Sequence, residues 1–191
     1  MEENQQKNKN SELSDRQENN SDFLQLATLV STSFDEQINL ADTKAQLIIA
    51  ADTLLAASTA FFLKKDVYLT FFEQGTSLLN RFAAIVSFLL FISLVISLFF
   101  ALLTARPILI LPEQRRSLFY FGHIAGLSEK RFTSEFLSQT STEIKESMLA
   151  QAYAKAVIAT RKFGRVRRSM DFLILALFLW AVFQLVVVIL P

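Results

Sequence analysis

Residues 82–105 read FAAIVSFLLFISLVISLFFALLTA, an apolar run of 24 residues without a charge. A helix needs about 20 such residues to cross the roughly 30 Å hydrocarbon core of a bilayer. A second uncharged run covers residues 172–190 and has Trp180 near its middle. These two runs predict two membrane-spanning helices.

A third run, residues 45–63, is less hydrophobic and carries Asp52 close to its centre. We predict a third spanning helix here, and the alternative is a buried amphipathic helix of a soluble lobe. An ionised carboxylate at the middle of a span costs about 2.5 to 3.5 kcal/mol. Asp52 is therefore expected to face another helix, a water path or a partner subunit, and is a candidate functional residue within the membrane.

The composition agrees with a membrane protein and excludes several classes of function. Hydrophobic types make up 52% of the 191 residues, 19 residues are Phe, and only 19% are charged, which is more apolar surface than a soluble domain of this size buries easily. The net charge of +1 gives no reason to expect a nucleic-acid polymer as partner. The absence of Cys and the single His exclude disulfides, thiol nucleophiles and multi-His metal sites. No phosphate-loop, nucleophile-elbow or zinc-protease motif occurs, so we predict no catalytic residues, no metal and no enzyme.

The distribution of positive charge predicts the orientation. Residues 106–171 contain twelve Lys or Arg against six acids, whereas residues 64–81 contain three against two. The basic side of a membrane protein normally faces the cytoplasm. We therefore expect a multi-pass membrane protein with its N-terminus in the cytoplasm.

Periodicity predicts the domain organisation. The first twenty residues are polar and predict a disordered tail. From residue 21, apolar residues recur every three or four positions, the period of one helix face. The predicted fold is an all-α membrane protein with three transmembrane helices and long helical cytosolic stalks that form a small cytosolic lobe. The segments are a disordered polar tail (1–20), a cytosolic stalk helix (21–44), a first span (45–63), a short external loop (64–81), a second span (82–105), a basic helical cytosolic region (106–171) and a third span (172–190).

Local signals mark several helix ends. Pro107 is expected to stop the second span, because the residue before a proline avoids helical geometry. Ser128 predicts the cap of a short helix, and Thr140 to Glu143 has the spacing of a capping box. From there the chain predicts a continuous helix into the third span, with Gly164 as its weak point.

Charged residues near the predicted membrane surface have two interpretations. Asp42 and Lys44 are either interfacial anchors or part of a pocket at the membrane surface. The basic run before the third span is either a topology signal that also attracts anionic lipid, or a phosphate site through Lys162 or Arg161. This run contains Arg161, Lys162, Arg165, Arg167 and Arg168.

A short aromatic stretch lies in the cytosolic region. Tyr120, Phe121 and His123 follow one another closely in SLFYFGHIAGL. Aromatic side chains can stack on a base, as they do in nucleotide sites, and can equally pack in a core.

Three segments together resemble the transmembrane effector family of the Pycsar antiphage systems, over residues 23–190. They are NLADTKAQLIIAADTLLAAS (39–58), LFYFGHIAGLSEKRF (118–132) and IATRKFGRVRRS (158–169). Their most specific elements are A-D-x-K-A at residues 41–45, F-G-x-I at 121–124 and K-F at 162–163. The resemblance implies a bacterial defence module in which a companion cyclase answers phage infection with cyclic CMP or cyclic UMP. The effector then damages the inner membrane, and the infected cell dies before phage mature.

This resemblance also implies a ligand and partners. The ligand would be a cyclic pyrimidine mononucleotide, and position and chemistry suggest Asp42, Lys44, Tyr120, His123 and Lys162 as its contacts. The partners would be the lipid bilayer, the cyclic nucleotide, the nucleotide cyclase and further copies of the chain. Two alternatives remain open: a non-catalytic membrane scaffold subunit that binds a protein partner, and a holin-like toxin controlled by its expression.

Overall fold

The structure is a computed structural model and describes residues 2–62, 78–107 and 121–189. Every regular element in these ranges is an α-helix, which confirms the predicted all-α class for the described residues. The helices are α1 (Glu2–Phe62), α2 (Leu78–Ala105), α3 (Phe121–Ile124), α4 (Glu129–Leu137) and α5 (Ser141–Ile189).

Two helices are long and apolar enough to cross a membrane, namely α2 and the Ser141–Val186 part of α5. They contain the two clearest predicted spans. Within the described residues α1 does not reach the same hydropathy, so the span at residues 45–63 stays a prediction. α2 ends at Ala105, two residues before Pro107, as predicted from the proline.

The N-terminal segment differs from its prediction. α1 begins at Glu2, so residues 2–20, expected to be disordered, are helical in the structure. Glu, Gln, Lys and Arg are good helix formers, and neither Gly nor Pro occurs before Gly75. The polar composition of residues 2–20 leaves this part of the helix without an apolar face, but it does not remove the helical propensity. The helix therefore extends toward the N-terminus, beyond the segment in which apolar residues recur with a 3.6-residue period.

The predicted caps of α4 and α5 are present. Ser128 Oγ accepts a hydrogen bond from the Arg131 backbone N–H at 3.4 Å. Glu143 Oε2 accepts from the Thr140 backbone N–H at 2.7 Å, and Thr140 Oγ1 accepts from the Glu143 backbone N–H at 3.3 Å. These reciprocal bonds form a capping box and satisfy N–H groups that have no partner within the helix. The hydrogen bonds from Thr140 hold the pKa of the Glu143 carboxyl below its ordinary value.

The chain divides into two compact units. Unit 1 comprises Met1–Ile38 and Ile108–Ala159, and unit 2 comprises Asn39–Pro107 and Thr160–Pro191. Within unit 1, Lys155 Nζ donates to Asp35 Oδ2 at 2.6 Å and to Ser31 Oγ at 2.8 Å, which joins α5 to α1. Lys145 Nζ lies 5.0 Å from the centre of the Phe23 ring and adds a cation–π contact between the same helices.

Unit 2 is a bundle of three helix segments around a small apolar core. The core residues of α1 recur at seven-residue steps, which is the spacing of a helix–helix seam. The core consists of Ala41, Ile48 and Leu55 from α1, Leu90, Leu94 and Ala101 from α2, and Val166, Leu173 and Ala176 from α5.

Hydrogen bonds define the directions of these helices. Ser93 of α2 bonds to the carbonyl of Phe172, Ser97 bonds to Ser169, and Arg165 bonds to the carbonyl of Leu103. Residue numbers rise on α2 as they fall on α5, so the two helices are antiparallel. Asp42 contacts Lys162 and Lys44 contacts Phe163, so within unit 2 α1 runs parallel to α5.

Large apolar side chains cover the outside of unit 2, and small polar ones lie inside. α2 exposes ten large apolar side chains: Leu78, Phe82, Ile85, Phe88, Leu89, Phe91, Ile92, Val95, Phe99 and Leu102. Ser87, Ser93, Ser97 and Thr104 of the same helix are buried. Small interfacial residues with apolar surroundings are typical of helices packed in lipid, because small side chains let the backbones approach.

Candidate functional site

An ion pair joins α1 to α5 in unit 2 where the sequence predicts the membrane surface. Lys162 Nζ lies 2.5 Å from Asp42 Oδ1 and 2.7 Å from Asp42 Oδ2. The Lys162 side chain is only 5% exposed, whereas the Asp42 side chain is 32% exposed. Asp42 thus neutralises a nearly buried ammonium from a position that solvent or a ligand can still reach. Two of the predicted ligand residues are in direct contact.

Lys44, the third predicted ligand residue of unit 2, points into a different environment. Its Nζ lies 5.6 Å from the centre of the Phe163 ring, at cation–π distance. Lys44 is exposed and lines a groove of about 520 Å³ between α1 and α5. The other lining residues are Leu47, Ile48, Ala51, Phe163, Val166, Arg167, Met170, Asp171 and Leu173.

The basic run of α5 makes contacts that charge counting did not predict. Arg165 Nη1 donates to the carbonyl of Leu103 at 2.7 Å, in the last turn of α2. Carbonyls at a helix C-terminus lack partners within the helix and carry partial negative charge, so an arginine stabilises this end. The Arg168 guanidinium lies 5.7 Å from the centre of the Phe100 ring. The basic run therefore connects α5 to both neighbouring helices: Lys162 contacts α1, and Arg165 and Arg168 contact α2.

A polar cluster links all three helices of unit 2 around Asp52. Asp52 is 3% exposed, and its Oδ2 lies 2.9 Å from Ser97 Oγ. Ser97 Oγ is also 3.0 Å from the carbonyl of Ser169, and Ser169 Oγ donates to the carbonyl of Ser97 at 2.7 Å. One hydroxyl hydrogen of Ser97 serves either Asp52 or the Ser169 carbonyl at a time. The prediction that Asp52 faces another helix agrees with these contacts.

Asp52 is only partly satisfied by this cluster. Its Oδ1 is buried and has no hydrogen-bond partner among the described residues. A buried polar atom without a partner costs free energy, and in a native protein it is explained by a functional role, by strain or by a bound water or ion.

The two remaining predicted ligand residues belong to the segment before α4. His123 lies on the four-residue helix α3 of unit 1 and is half-buried, and its carbonyl accepts the Gly126 backbone N–H at 3.1 Å. Tyr120 lies outside the described residues. Within the described ranges, no group of three or more His, Asp or Glu side chains is arranged to hold a metal ion.

The sequence matches the Pycsar effector protein domain over residues 26–189. The chain belongs to this family. The match covers all of unit 2 that the structure describes, including the Asp42–Lys162 pair and the Asp52 cluster. No curated protein and no solved structure matches the chain.

Family membership confirms the predicted resemblance and assigns the chain an effector role in antiphage defence. Pycsar systems in general combine such an effector with a nucleotide cyclase and its cyclic nucleotide product. The two apolar helices of this Pycsar effector agree with a location in a membrane.

Sequence reasoning missed Ser97 and Ser169 of this Pycsar effector. Ser93 and Ser97 lie four residues apart in an uncharged run, hence on one helix face, and this spacing was the available signal. Ser169 follows directly on the basic run, which conceals its role as the α5 partner of Ser97.

Proposed function

We propose that this chain is the membrane effector of a Pycsar-like system in bacteria. A companion cyclase produces a cyclic pyrimidine nucleotide, cyclic CMP or cyclic UMP, and its binding makes the effector impair inner-membrane integrity and cause abortive infection. The family match over residues 26–189 is the observation that carries this proposal. The protein acts by binding, without catalysis and without a metal or cofactor.

The packing of unit 2 supports a three-span arrangement. Ala41, Ile48 and Leu55 of α1 pack in one core with α2 and α5, the two helices that are apolar enough to cross a membrane. A segment packed beside two spans at the same depth shares their environment. Because α1 runs parallel to α5 and α2 is antiparallel to both, three crossings with a cytoplasmic N-terminus satisfy the directions of all three helices.

The Asp42–Lys162 pair supports a mechanism for ligand control. A cyclic nucleotide carries one phosphodiester negative charge, and a phosphate can replace a carboxylate as the partner of a lysine ammonium. We place the phosphate beside Lys162, with Lys44 adding positive charge. Tyr120 and His123 are our candidates for contacts to the base. Displacing Asp42 removes a bond between α1 and α5, and a ligand that prefers the separated arrangement shifts the population toward it.

Self-association completes the proposed mechanism. Thr53 and Ala57 of α1, four residues apart, are both exposed on unit 2. Small residues at this spacing allow close contact between helices in lipid. We propose that the ligand-bound effector forms homo-oligomers that break the permeability barrier of the membrane.

The experiment is binding of the detergent-purified full chain to a panel of cyclic mononucleotides and cyclic oligonucleotides, measured by thermal shift and calorimetry. Selective binding of one pyrimidine ring compound at micromolar or lower concentration supports the proposal. Absence of binding across the panel, from folded protein, would contradict it and favour a scaffold subunit with a protein partner.

A matched set of lysine variants tests the site. Lys44→Ala and Lys162→Ala are expected to abolish signal-dependent toxicity in cells while membrane insertion is retained. Lys155→Ala is the control, since Lys155 also pairs with an aspartate of α1, Asp35, but belongs to unit 1. Full toxicity of both test variants would rule out the proposed site. Toxicity without any cyclase would instead indicate a holin-like toxin controlled by expression.

A further inference from the structure

The groove between α1 and α5 is lined by two cations that bond to no oxygen acceptor among the described residues. Lys162, Arg165 and Arg168 of the basic run are engaged with Asp42, the Leu103 carbonyl and the Phe100 ring. Arg167 is exposed and lines the groove, and its guanidinium makes no hydrogen bond or ion pair with the described residues. Lys44 lines the same groove, and among the described residues its ammonium contacts the face of the Phe163 ring and no acceptor. An anion entering the groove meets two available donors.

Beyond Lys44 the α1 wall of the groove is apolar. Leu47, Ile48 and Ala51 of α1 form one wall, and Val166, Met170 and Leu173 of α5 contribute to the other. From Lys44 to Ala51 the helix rises about 10 Å, at 1.5 Å per residue. Lys44 lies one residue before the predicted first span, and Leu47, Ile48 and Ala51 lie within it. On α1 this order of surfaces, cationic and then apolar, matches a phospholipid in the cytoplasmic leaflet.

Asp171 adds a condition on the headgroup. Its carboxylate lines the groove together with Arg167 and Lys44, so the lining carries one net positive charge. One phosphodiester charge is therefore balanced, while a second negative charge would meet the aspartate. The charge of the lining favours a monoanionic phospholipid.

We propose that this groove is a binding site for a monoanionic phospholipid. Its phosphate lies between Lys44 and Arg167, and one acyl chain follows the apolar wall of α1. The volume of about 520 Å³ is sufficient for the glycerol region and the first part of a chain. A lipid seated there bridges α1 and α5 beside the Asp42–Lys162 pair and stabilises the associated helices. The site requires insertion of unit 2 into a bilayer but does not require the cyclic nucleotide.

The test uses the full chain in a neutral detergent and measures the thermal unfolding midpoint during titration with phosphatidylglycerol. Phosphatidylcholine with the same acyl chains controls for general lipid effects, and inorganic phosphate tests the anion alone. Arg167→Gln is the test variant. Arg106→Gln is its control, because Arg106 is an exposed arginine at the end of α2 that does not line the groove.

Phosphatidylglycerol is expected to raise the midpoint more than phosphatidylcholine, and inorganic phosphate is expected to have no effect. Arg167→Gln is expected to weaken the phosphatidylglycerol effect about fivefold in concentration, from one lost charge contact at a membrane surface. Arg106→Gln is expected to respond as the unaltered chain does. Equal responses to both lipids, or an unchanged response of Arg167→Gln, would overturn the proposal. Cyclic nucleotide binding that survives in Arg167→Gln separates this result from the proposed function.

Discussion

Asp42 and Lys162 form an ion pair in which the lysine is nearly buried and the carboxylate is half-buried, with both carboxylate oxygens within 2.7 Å of the ammonium nitrogen. The pair has two consequences. It fixes the contact between α1 and α5 in unit 2. In the mechanism that we propose, an incoming phosphate replaces this carboxylate, so the structural role and the proposed ligand-binding role involve the same two side chains.

Removing one member of this pair is predicted to cost more than removing both. Asp42→Asn leaves the buried ammonium without its counter-charge and is expected to lower the free energy of unfolding by about 1.5–3 kcal/mol. Adding Lys162→Met removes the charge and is expected to restore part of that loss. Thermal or denaturant unfolding of the two single variants and the double variant measures the coupling.

Asp35→Asn is the matched comparison. The Asp35 side chain is 51% exposed, and its lysine partner Lys155 is 21% exposed. An exposed pair contributes about 1 kcal/mol or less, so this loss is expected to be smaller. Equal losses in the free energy of unfolding for Asp35→Asn and Asp42→Asn would refute the view that burial makes the Asp42–Lys162 pair contribute more than the Asp35–Lys155 pair.

Ser97→Ala is predicted to destabilise the three-helix contact around Asp52. The hydroxyl lies within hydrogen-bond distance of Asp52 and of Ser169, on two other helices. Hydrogen bonds between helices in membranes contribute about 0.6 kcal/mol on average and up to about 1.7 kcal/mol, and we expect a loss in this range. Thr53→Ala is the control, because among the described residues Thr53 Oγ1 bonds within its own helix alone, to the Ile49 carbonyl. A Thr53→Ala loss as large as that of Ser97→Ala would contradict the prediction.

Gly164→Ala is predicted to stabilise the protein. Gly164 is exposed in the middle of α5, and a Cβ added there meets no atom within 4 Å. Glycine in a helix interior is less stable than alanine by roughly 0.5–1 kcal/mol, because it loses more backbone entropy on folding. A rise in the unfolding midpoint checks this prediction. A fall would show that α5 needs the flexibility or the bare backbone of this position.

The α5 capping box predicts a pH dependence in the acidic range. Hydrogen bonds from Thr140 lower the pKa of the Glu143 carboxyl, so the folded state favours the ionised form. The stabilisation is fully present above the ordinary glutamate pKa and is lost as the pH falls through the lowered folded value. Comparison of unfolding midpoints at neutral and acidic pH for the unaltered chain and Glu143→Gln measures the effect. Glu146→Gln, an exposed acid of the same helix, serves as control and is expected to leave the dependence unchanged.

The topology can be tested cleanly because the chain has no cysteine. Single substitutions Asn10→Cys and Ser138→Cys are expected to be protected from a membrane-impermeant maleimide in intact spheroplasts, and Thr76→Cys is expected to react. Lysis is expected to make all three reactive. If Thr76→Cys and Asn10→Cys were labelled from the same side of the membrane, the chain between them would cross the membrane an even number of times, which would contradict the predicted single crossing at residues 45–63.

Sequence alone predicted the elements with strong local signals. The uncharged run in α2, the stop before Pro107 and the Thr140–Glu143 capping box depend on nearby residues and were confirmed. The helical state of residues 2–20 was missed, because low hydrophobicity indicates the absence of a core and not the absence of helical propensity. The third span remains a prediction, since Asp52 and the small residues around it lower the hydropathy of that segment.

The sequence selected residues for the candidate site but did not predict their contacts. Asp42 and Lys162 were selected by charge and position, yet their pairing depends on how α1 and α5 align across 120 residues of sequence. Neither composition nor spacing specifies such an alignment. The capping of α2 by Arg165 was concealed for the same reason, since a run of five basic residues gives no sign of which member contacts which helix.

The central claim, that a cyclic pyrimidine nucleotide switches this protein to a membrane-damaging state, is tested most directly by dye release from liposomes. The purified chain is reconstituted into vesicles loaded with a self-quenching dye, and cyclic CMP, cyclic UMP, cyclic AMP and cyclic GMP are added separately. We predict rapid release with one pyrimidine nucleotide, none with the purine nucleotides, and none with Lys162→Ala. Release that is independent of nucleotide, or vesicles that stay intact with all four nucleotides although the protein is folded and inserted, would contradict the account.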